Sequence, residues 1–227
     1  MKVAVSWSGG KDSALAYHKA IAQGHKVCCI VAFLWENPSL AHPIEIIELQ
    51  AEALRTKLIK AYVREPYFEH YRQAMNQLAK EEGIEAIITG DIAPLDAFHG
   101  NWMENVCMGS GLKVAKPLWG MDRQRIMEEL IRKGFRVIFS CVKKPWFNEE
   151  WLGRELNLET LERLKDLSAK QGIDLCGENG EYHTLVLDSP DFNKYIEIAE
   201  HSIERRNGSF FIRIDEAYLK NKIKLEE

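Results

Sequence analysis

Short apolar runs alternate with amphipathic stretches along the first 143 residues, and this alternation restricts the fold more than any other feature. The run at residues 3–7 is followed by a helical stretch over 12–23 and, after Gly24, by the apolar run at 26–34. Continuous apolar runs are typical of strands buried on both faces, as in parallel sheets. Because strand and helix alternate five times, the sequence predicts a three-layer α/β fold with right-handed crossovers.

The rhythm ends near residue 143. The remaining residues predict one helix, one strand and a hairpin, for which Asn207-Gly208 is a strong turn signal. We therefore predict an α/β domain over residues 1–143 and a smaller α+β domain over residues 144–227.

Composition excludes several classes of protein. The 227 residues are 46% hydrophobic and 28% charged, which is a globular composition, and no apolar run approaches the ~18 residues of a membrane span. The start of the chain lacks the features of a signal peptide, and the five cysteines form no CxxC pair. We expect a cytoplasmic protein without a membrane partner, and the net charge of −4 makes nucleic acid an unfavourable partner.

The first chemical motif is a hexapeptide between the first predicted strand and helix, Ser8-Gly9-Gly10-Lys11-Asp12-Ser13. Two glycines let the backbone approach a ligand closely, and a helix N-terminus directs N–H groups and positive potential toward it. These properties predict a phosphate site. The Walker pattern fails here, because Asp12 follows Lys11 and no glycine lies at the required spacing upstream. The dinucleotide pattern G-x-G-x-x-G fails as well.

The second motif is the polar, glycine-rich stretch over residues 176–184, which reads CGENGEYHT. Ordering such a loop without a ligand is costly in conformational entropy, so the stretch is a candidate for substrate or metal contacts. In an extended segment Glu181 and His183 would lie on one side. A solvated turn before a strand is the alternative interpretation.

Together the two motifs resemble those of a known family. The hexapeptide matches the SGGxDS signature of the N-type ATP pyrophosphatases, the PP-loop enzymes, which have Rossmann-like folds and cleave ATP between the α and β phosphates. The second motif is similar to the GEGGE-type motif of the diphthine–ammonia ligase family. Further stretches also fit that family, at residues 90–92, 117–120, 151–154 and 187–190.

Two departures limit what the resemblance implies. The second motif has the GENGE[FY]HT form, which is typical of a bacterial-type subgroup, in place of GEGGEFET. Residues 35–42, after the second strand, match the family's pattern weakly. The resemblance therefore supports the use of ATP by this chain more strongly than it supports the identity of the acceptor substrate.

The resemblance implies an ATP-dependent amide ligase. It would adenylate a carboxylate with release of pyrophosphate, and would then amidate it with ammonia and release AMP. The implied cofactors are ATP and Mg²⁺, with Asp12 as the candidate magnesium ligand. The implied nucleotide-binding residues are Ser8, Gly9, Gly10, Lys11, Asp12, Ser13, Phe33, Gly90 and Asp91. The implied catalytic residues are Lys11, Asp12, Glu178, Glu181 and His183.

The implied partners are ATP, ammonia or ammonium, and a carboxylate acceptor, which for a true family member is the diphthine of elongation factor 2. A homodimer is one candidate for the oligomeric state, which the sequence does not decide. Two alternatives stay open, an RNA-modifying PP-loop enzyme and an adenine-nucleotide-binding protein without turnover. Whether His99 or Cys176 takes part in chemistry also stays open.

Overall fold

A computed structural model describes residues 1–37, 39–94 and 102–222. In chain order its elements are β1 (Lys2–Ser6), α1 (Lys11–Ala22), β2 (Lys26–Trp35), α2 (Ile44–Leu54), β3 (Lys57–Val63), α3 (Tyr67–Glu82), β4 (Ala86–Ile88), α4 (Trp102–Cys107), β5 (Lys113–Ala115), α5 (Arg123–Arg132), β6 (Arg136–Lys143), α6 (Leu158–Gln171), β7 (Tyr182–Asp188), β8 (Lys194–Arg206) and β9 (Ser209–Asn221). Within the described ranges, no helix has both the length and the apolar character that a bilayer crossing requires.

The chain forms two compact units, of which the first contains Met1–Ser8, Asp12–Ser39 and Thr56–Met121. Its five strands pair in parallel in the order β3-β2-β1-β4-β5, so β1 is central. The helices α3 and α4 pack their apolar residues on one face of this sheet, against Ala4, Val31 and Ile87. The predicted parallel sheet between helices is therefore confirmed.

The second unit contains Gly9–Lys11, Leu40–Arg55 and Asp122–Glu227. Its four strands pair in the order β7-β6-β9-β8, and every pair is antiparallel. The predicted hairpin is present, with β8 and β9 joined at Asn207 and Gly208, which both adopt positive φ. Phe139 of β6 lies in the core of this unit, where its ring packs edge-on against Trp151 and Tyr182.

The two compact units of the structure do not meet at residue 143, where the sequence predicts the domain boundary. The strand β6 lies before that residue but pairs antiparallel with β7 and β9. Residues 40–55, which include α2, also belong to the second unit. Because β6 is buried along nearly its whole length, its apolar run has the same appearance as a strand of a parallel sheet.

Gly90 allows the chain after β4 to touch the start of α1. A Cβ atom at Gly90 would lie 2.7 Å from the carbonyl carbon of Asp12 and 2.8 Å from the nitrogen of Ser13. Both neighbours are backbone atoms, so the side chains cannot rotate to relieve the contact. Only glycine therefore lets the segment after β4 support the first turn of α1 at this distance.

We expect Gly90→Ala to destabilise the protein by roughly 2–3 kcal/mol, because the methyl group overpacks a backbone contact. Gly24→Ala is the control: Gly24 has a φ of 76° with nothing within 4 Å of a Cβ atom, so only the left-handed conformation is penalised, by about 1–2 kcal/mol. Urea unfolding of both variants measures the difference. A Gly90→Ala variant as stable as the original protein would contradict this interpretation of the contact.

Candidate functional site

The hexapeptide follows the central strand β1, and its last three residues form the first turn of α1, which begins at Lys11. Within the first unit, the Ser8 nitrogen lies 3.4 Å from the Ser13 hydroxyl oxygen, and the two hydroxyl oxygens are 3.3 Å apart. Asp12 is half-buried in the same turn. The structure therefore brings hydroxyl groups, a carboxylate and a helix N-terminus together at the carboxyl end of a parallel strand, where α/β folds bind ligands.

The middle of the hexapeptide, Gly9–Lys11, belongs to the second unit. The Gly9 carbonyl accepts hydrogen bonds from the Gln50 side chain at 2.9 Å and from the Val186 nitrogen at 3.0 Å. The Lys11 nitrogen donates to the Thr184 hydroxyl at 3.2 Å. Gly9 has a φ of 83°, and a Cβ atom there would lie 2.8 Å from Gln50 Oε1, so the turn requires glycine.

The ammonium group of Lys11 is buried in the second unit, with 3% of the residue exposed. Its Nζ donates a hydrogen bond to the carbonyl of Cys176 at 2.6 Å and lies 5.6 Å from the centre of the Tyr182 ring. A hydrogen bond this short is typical of a charged donor. The structure thus joins the lysine of the first motif to the loop of the second.

The second motif forms a loop over residues 174–181 before β7. Glu181 is 1% exposed, and its carboxylate accepts hydrogen bonds from the Asp174 nitrogen at 2.7 Å and from the backbone and side-chain nitrogens of Asn179 at 3.0 and 3.1 Å. Glu178 is half-buried, and its nitrogen lies 3.4 Å from Asp174 Oδ1. Glu181 therefore organises the loop, while His183, predicted on the same side, is exposed at the start of β7.

Two imidazoles lie beside this loop in the second unit. The rings of His42 and His183 pack edge-on with centres 5.4 Å apart. Burial is the largest cause that lowers the pKa of His42 to about 3. The electrostatic effects of His183 and Lys11 act in the same direction. Desolvation, then the charges of Lys11 and Lys143, also lower the pKa of His183 below its usual range. Both imidazoles are therefore neutral at neutral pH.

Asp91 follows β4 in the first unit and accepts a hydrogen bond from the Thr89 hydroxyl at 2.8 Å. Burial raises the pKa of Asp91, while the Thr89 hydrogen bond and the charge of Lys116 act in the opposite direction. Lys116 forms an ion pair with Glu104 at 2.6 Å and lies 4.1 Å from the centre of the Trp119 ring. Sequence reasoning missed Lys116, because it lies in no motif with a recognisable spacing.

Phe33 of β2 lies in the first unit. Its ring stacks on Tyr71, with centres 4.3 Å apart and an angle of 23° between the planes. The side chain is half-buried and packs against the cluster formed with α3 and α4. Any contact of Phe33 with an adenine ring would therefore come from its backbone.

The described residues do not form a metal site made of protein side chains alone. Among residues 1–37, 39–94 and 102–222, no three His, Cys, Asp or Glu side chains are grouped to hold one. Magnesium commonly uses one or two carboxylates together with substrate phosphates and water. A single carboxylate in the first turn of α1, that of Asp12, fits that mode.

Thiol chemistry finds little support in the structure. Burial is the largest cause that raises the pKa of Cys29 to about 12 and those of Cys107 and Cys141 to about 11, which disfavours reactive thiolates. Cys176 is 2% exposed, with its sulfur 3.5 Å from the Arg123 carbonyl. His99 lies outside the described residues.

Comparison with known families gives matches over both parts of the chain. Residues 1–114 match the model of the diphthamide synthase N-terminal domain, and residues 122–219 match that of the diphthamide synthase C-terminal domain. The diphthine–ammonia ligase of Schizosaccharomyces pombe is 29% identical over 234 residues, which cover 89% of this chain and 38% of that protein. The diphthine–ammonia ligase of Mus musculus is 28% identical over 255 residues, which cover 98% of this chain and 94% of that protein.

Solved structures also resemble the fold. A predicted subunit of tRNA methyltransferase from Methanocaldococcus jannaschii superimposes with a TM-score of 0.50 at 14% identity, covering 84% of this chain and 98% of that one. At that identity the likeness concerns the fold alone.

The low pKa of His42 predicts a measurable dependence of stability on pH. Below a pH of about 6.5 the unfolded chain protonates this imidazole while the folded chain does not, so the free energy of unfolding falls as the pH falls toward about 3. We expect this residue to account for about 2 kcal/mol of lost stability between about pH 7.5 and about pH 5. Urea unfolding of the original protein and of His42→Gln at both pH values measures it. Identical pH dependence in the two proteins would contradict the expectation.

Proposed function

The chain belongs to the diphthamide synthase family, and on that premise we propose that it joins ammonia to the carboxylate of a diphthine-type acceptor by cleaving ATP to AMP and pyrophosphate. The two domain matches confirm the family, and the ligases among its relatives support the ATP-dependent ligase that the sequence motifs predict. Because this chain covers only 38% of the Schizosaccharomyces pombe protein, the acceptor is part of the proposal.

The observation that carries the proposal is the position of the hexapeptide. It follows the central strand of a parallel sheet, with Gly9 in a conformation that requires glycine and α1 beginning at Lys11. This arrangement supports binding of the ATP phosphates by residues 8–13, since a helix N-terminus favours anions. Gly90 and Asp91, next to the same turn, would line the nucleotide, and the adenine would lie along the backbone near Phe33.

Mg²⁺ would neutralise charge on the phosphates when bound, with Asp12 as its protein ligand. The chain itself would contribute to ATP cleavage by holding charged groups in fixed positions. Lys11 places a full positive charge beside the phosphate loop, where it would stabilise the charge that develops on the leaving pyrophosphate.

The second half of the reaction needs a base, because ammonia attacking an acyl-adenylate yields a nitrogen that must lose a proton. His183 is suited to accept it, since its lowered pKa keeps the imidazole neutral and it lies at the exposed start of β7. Glu178, half-buried in the loop, would bind ammonium or assist the same transfer. Glu181 would contribute by holding that loop in place.

We expect Lys11→Ala and Asp12→Ala each to lower pyrophosphate release by roughly two orders of magnitude or more, since the first removes the positive charge of the loop and the second removes the carboxylate that would hold Mg²⁺. The assay supplies ATP, Mg²⁺, ammonium and elongation factor 2 bearing diphthine, and measures AMP and pyrophosphate. Lys26→Ala, at an exposed position of β2, is the control.

Full activity of the Lys11 or Asp12 variant would refute the loop assignment, and release of ADP would refute the class of reaction. Binding of ATP by the original protein without pyrophosphate release would favour a non-catalytic nucleotide-binding protein.

Glu178→Gln separates the two halves of the reaction. We expect exchange of pyrophosphate into ATP, which reports adenylation alone, to persist, while amide formation falls by roughly a hundredfold or more. Glu150→Gln, at an exposed position of the same unit, is the control. Equal loss of exchange and amide formation would show that Glu178 does not serve the ammonia step in particular.

A further inference from the structure

A chain of contacts within the second unit links the N-terminus of α5 to the ammonium of Lys11. Arg123, the first residue of α5, donates from Nε to Asp174 Oδ2 at 3.1 Å. The other oxygen of Asp174 accepts a hydrogen bond from the Cys176 nitrogen at 2.8 Å. The carbonyl of Cys176 in turn accepts the hydrogen bond from Lys11 Nζ at 2.6 Å. Neither motif of the sequence contains Arg123 or Asp174.

The loop fixes that carbonyl by several further contacts. Gly177 has a φ of 78°, and a Cβ atom there would lie 2.9 Å from the Tyr182 carbonyl oxygen, so this turn also requires glycine. The Tyr182 hydroxyl donates to the Leu175 carbonyl at 2.6 Å. Glu181 holds the Asp174 nitrogen at 2.7 Å. The peptide that presents the Cys176 carbonyl is therefore held on both sides. Asp174 joins the loop to α5 through the side chain of Arg123, and the Cys176 sulfur, 3.5 Å from the Arg123 carbonyl, adds a weaker contact.

A buried ammonium group needs such an acceptor. Lys11 is 3% exposed, so few water molecules can reach its charge, and a carbonyl dipole in a fixed position stabilises it at one location. A charge held in place before the reaction contributes more to catalysis than one on a mobile side chain, because no reorganisation is needed when charge develops on the substrate. The position of the Cys176 carbonyl thus determines where the positive charge of Lys11 acts.

Resting on the proposed function, we propose that Asp174, held by Arg123, is a positioning residue for ATP cleavage that acts through the carbonyl of Cys176 on the ammonium of Lys11. The same contacts couple the loop that carries Glu178 to the lysine of the phosphate loop.

The test is a double-mutant cycle on AMP formation. We expect Asp174→Ala to lower kcat by roughly tenfold or more, since misplacing a positioned group costs up to about a hundredfold in rate. We expect Asp174→Asn to lower kcat less than Asp174→Ala does, because its amide oxygen still accepts the Cys176 hydrogen bond while the contact with Arg123 is lost. In the Lys11→Ala background, Asp174→Ala should have an effect of less than about twofold, because the group it positions is gone.

The control is Glu155→Gln, which breaks the exposed ion pair that Glu155 makes with Arg136 at 2.7 Å in the same unit and should leave kcat unchanged. Thermal unfolding of each variant separates loss of fold from loss of position. A tenfold effect of Asp174→Ala in both backgrounds, or no effect in the original protein, would overturn the proposal.

The two proposals fail in different ways. If the original protein forms no AMP with any acceptor, the proposed function is what fails. The same cycle is then measured on the dissociation constant of a non-hydrolysable ATP analogue, α,β-methylene-ATP. Coupling between Asp174 and Lys11 in that binding would uphold the positioning role, and independent effects would overturn it.

Discussion

The backbone of residues 9–11 is the constraint on which the candidate site depends. A buried carbonyl or N–H group without a hydrogen-bond partner is costly, and this turn lies outside the ladder of any strand. Gln50 and Val186 satisfy the Gly9 carbonyl, and Thr184 accepts from the Lys11 nitrogen. These partners come from α2 and β7 of the second unit. The turn that follows the central strand of the first unit thus owes its conformation to residues far along the chain.

Charge in this site is local. The chain carries a net charge of −4, so its overall charge does not attract an anion such as ATP. Lys11 of the hexapeptide carries a positive charge, and its side chain is buried. A charge in such a medium interacts more strongly than one in water. The charge of Lys11 contributes to the lowered pKa values of both His42 and His183.

Local patterns of the sequence predicted a large part of this arrangement. The parallel sheet followed from continuous apolar runs, and the phosphate turn followed from two glycines before a helix. The strand β6 has the same apolar run but pairs in an antiparallel sheet, because pairing depends on partners that local periodicity does not identify. Gln50 interrupts the apolar stripe of α2 as a single polar residue, and Asp174 stands in a polar loop, so neither position indicated a role in the site.

The sequence by itself determined the class of fold, the two motifs and the family, since each depends on residues close together in the chain. Only the tertiary structure decided which partner each polar group takes. Glu181, predicted to face the acceptor, is buried and holds its own loop, and Lys11 is bonded to Cys176, 165 residues away. The physical reason is that periodicity and turn chemistry act over a few residues, whereas a buried charge or carbonyl takes whichever acceptor or donor packing brings within hydrogen-bond distance.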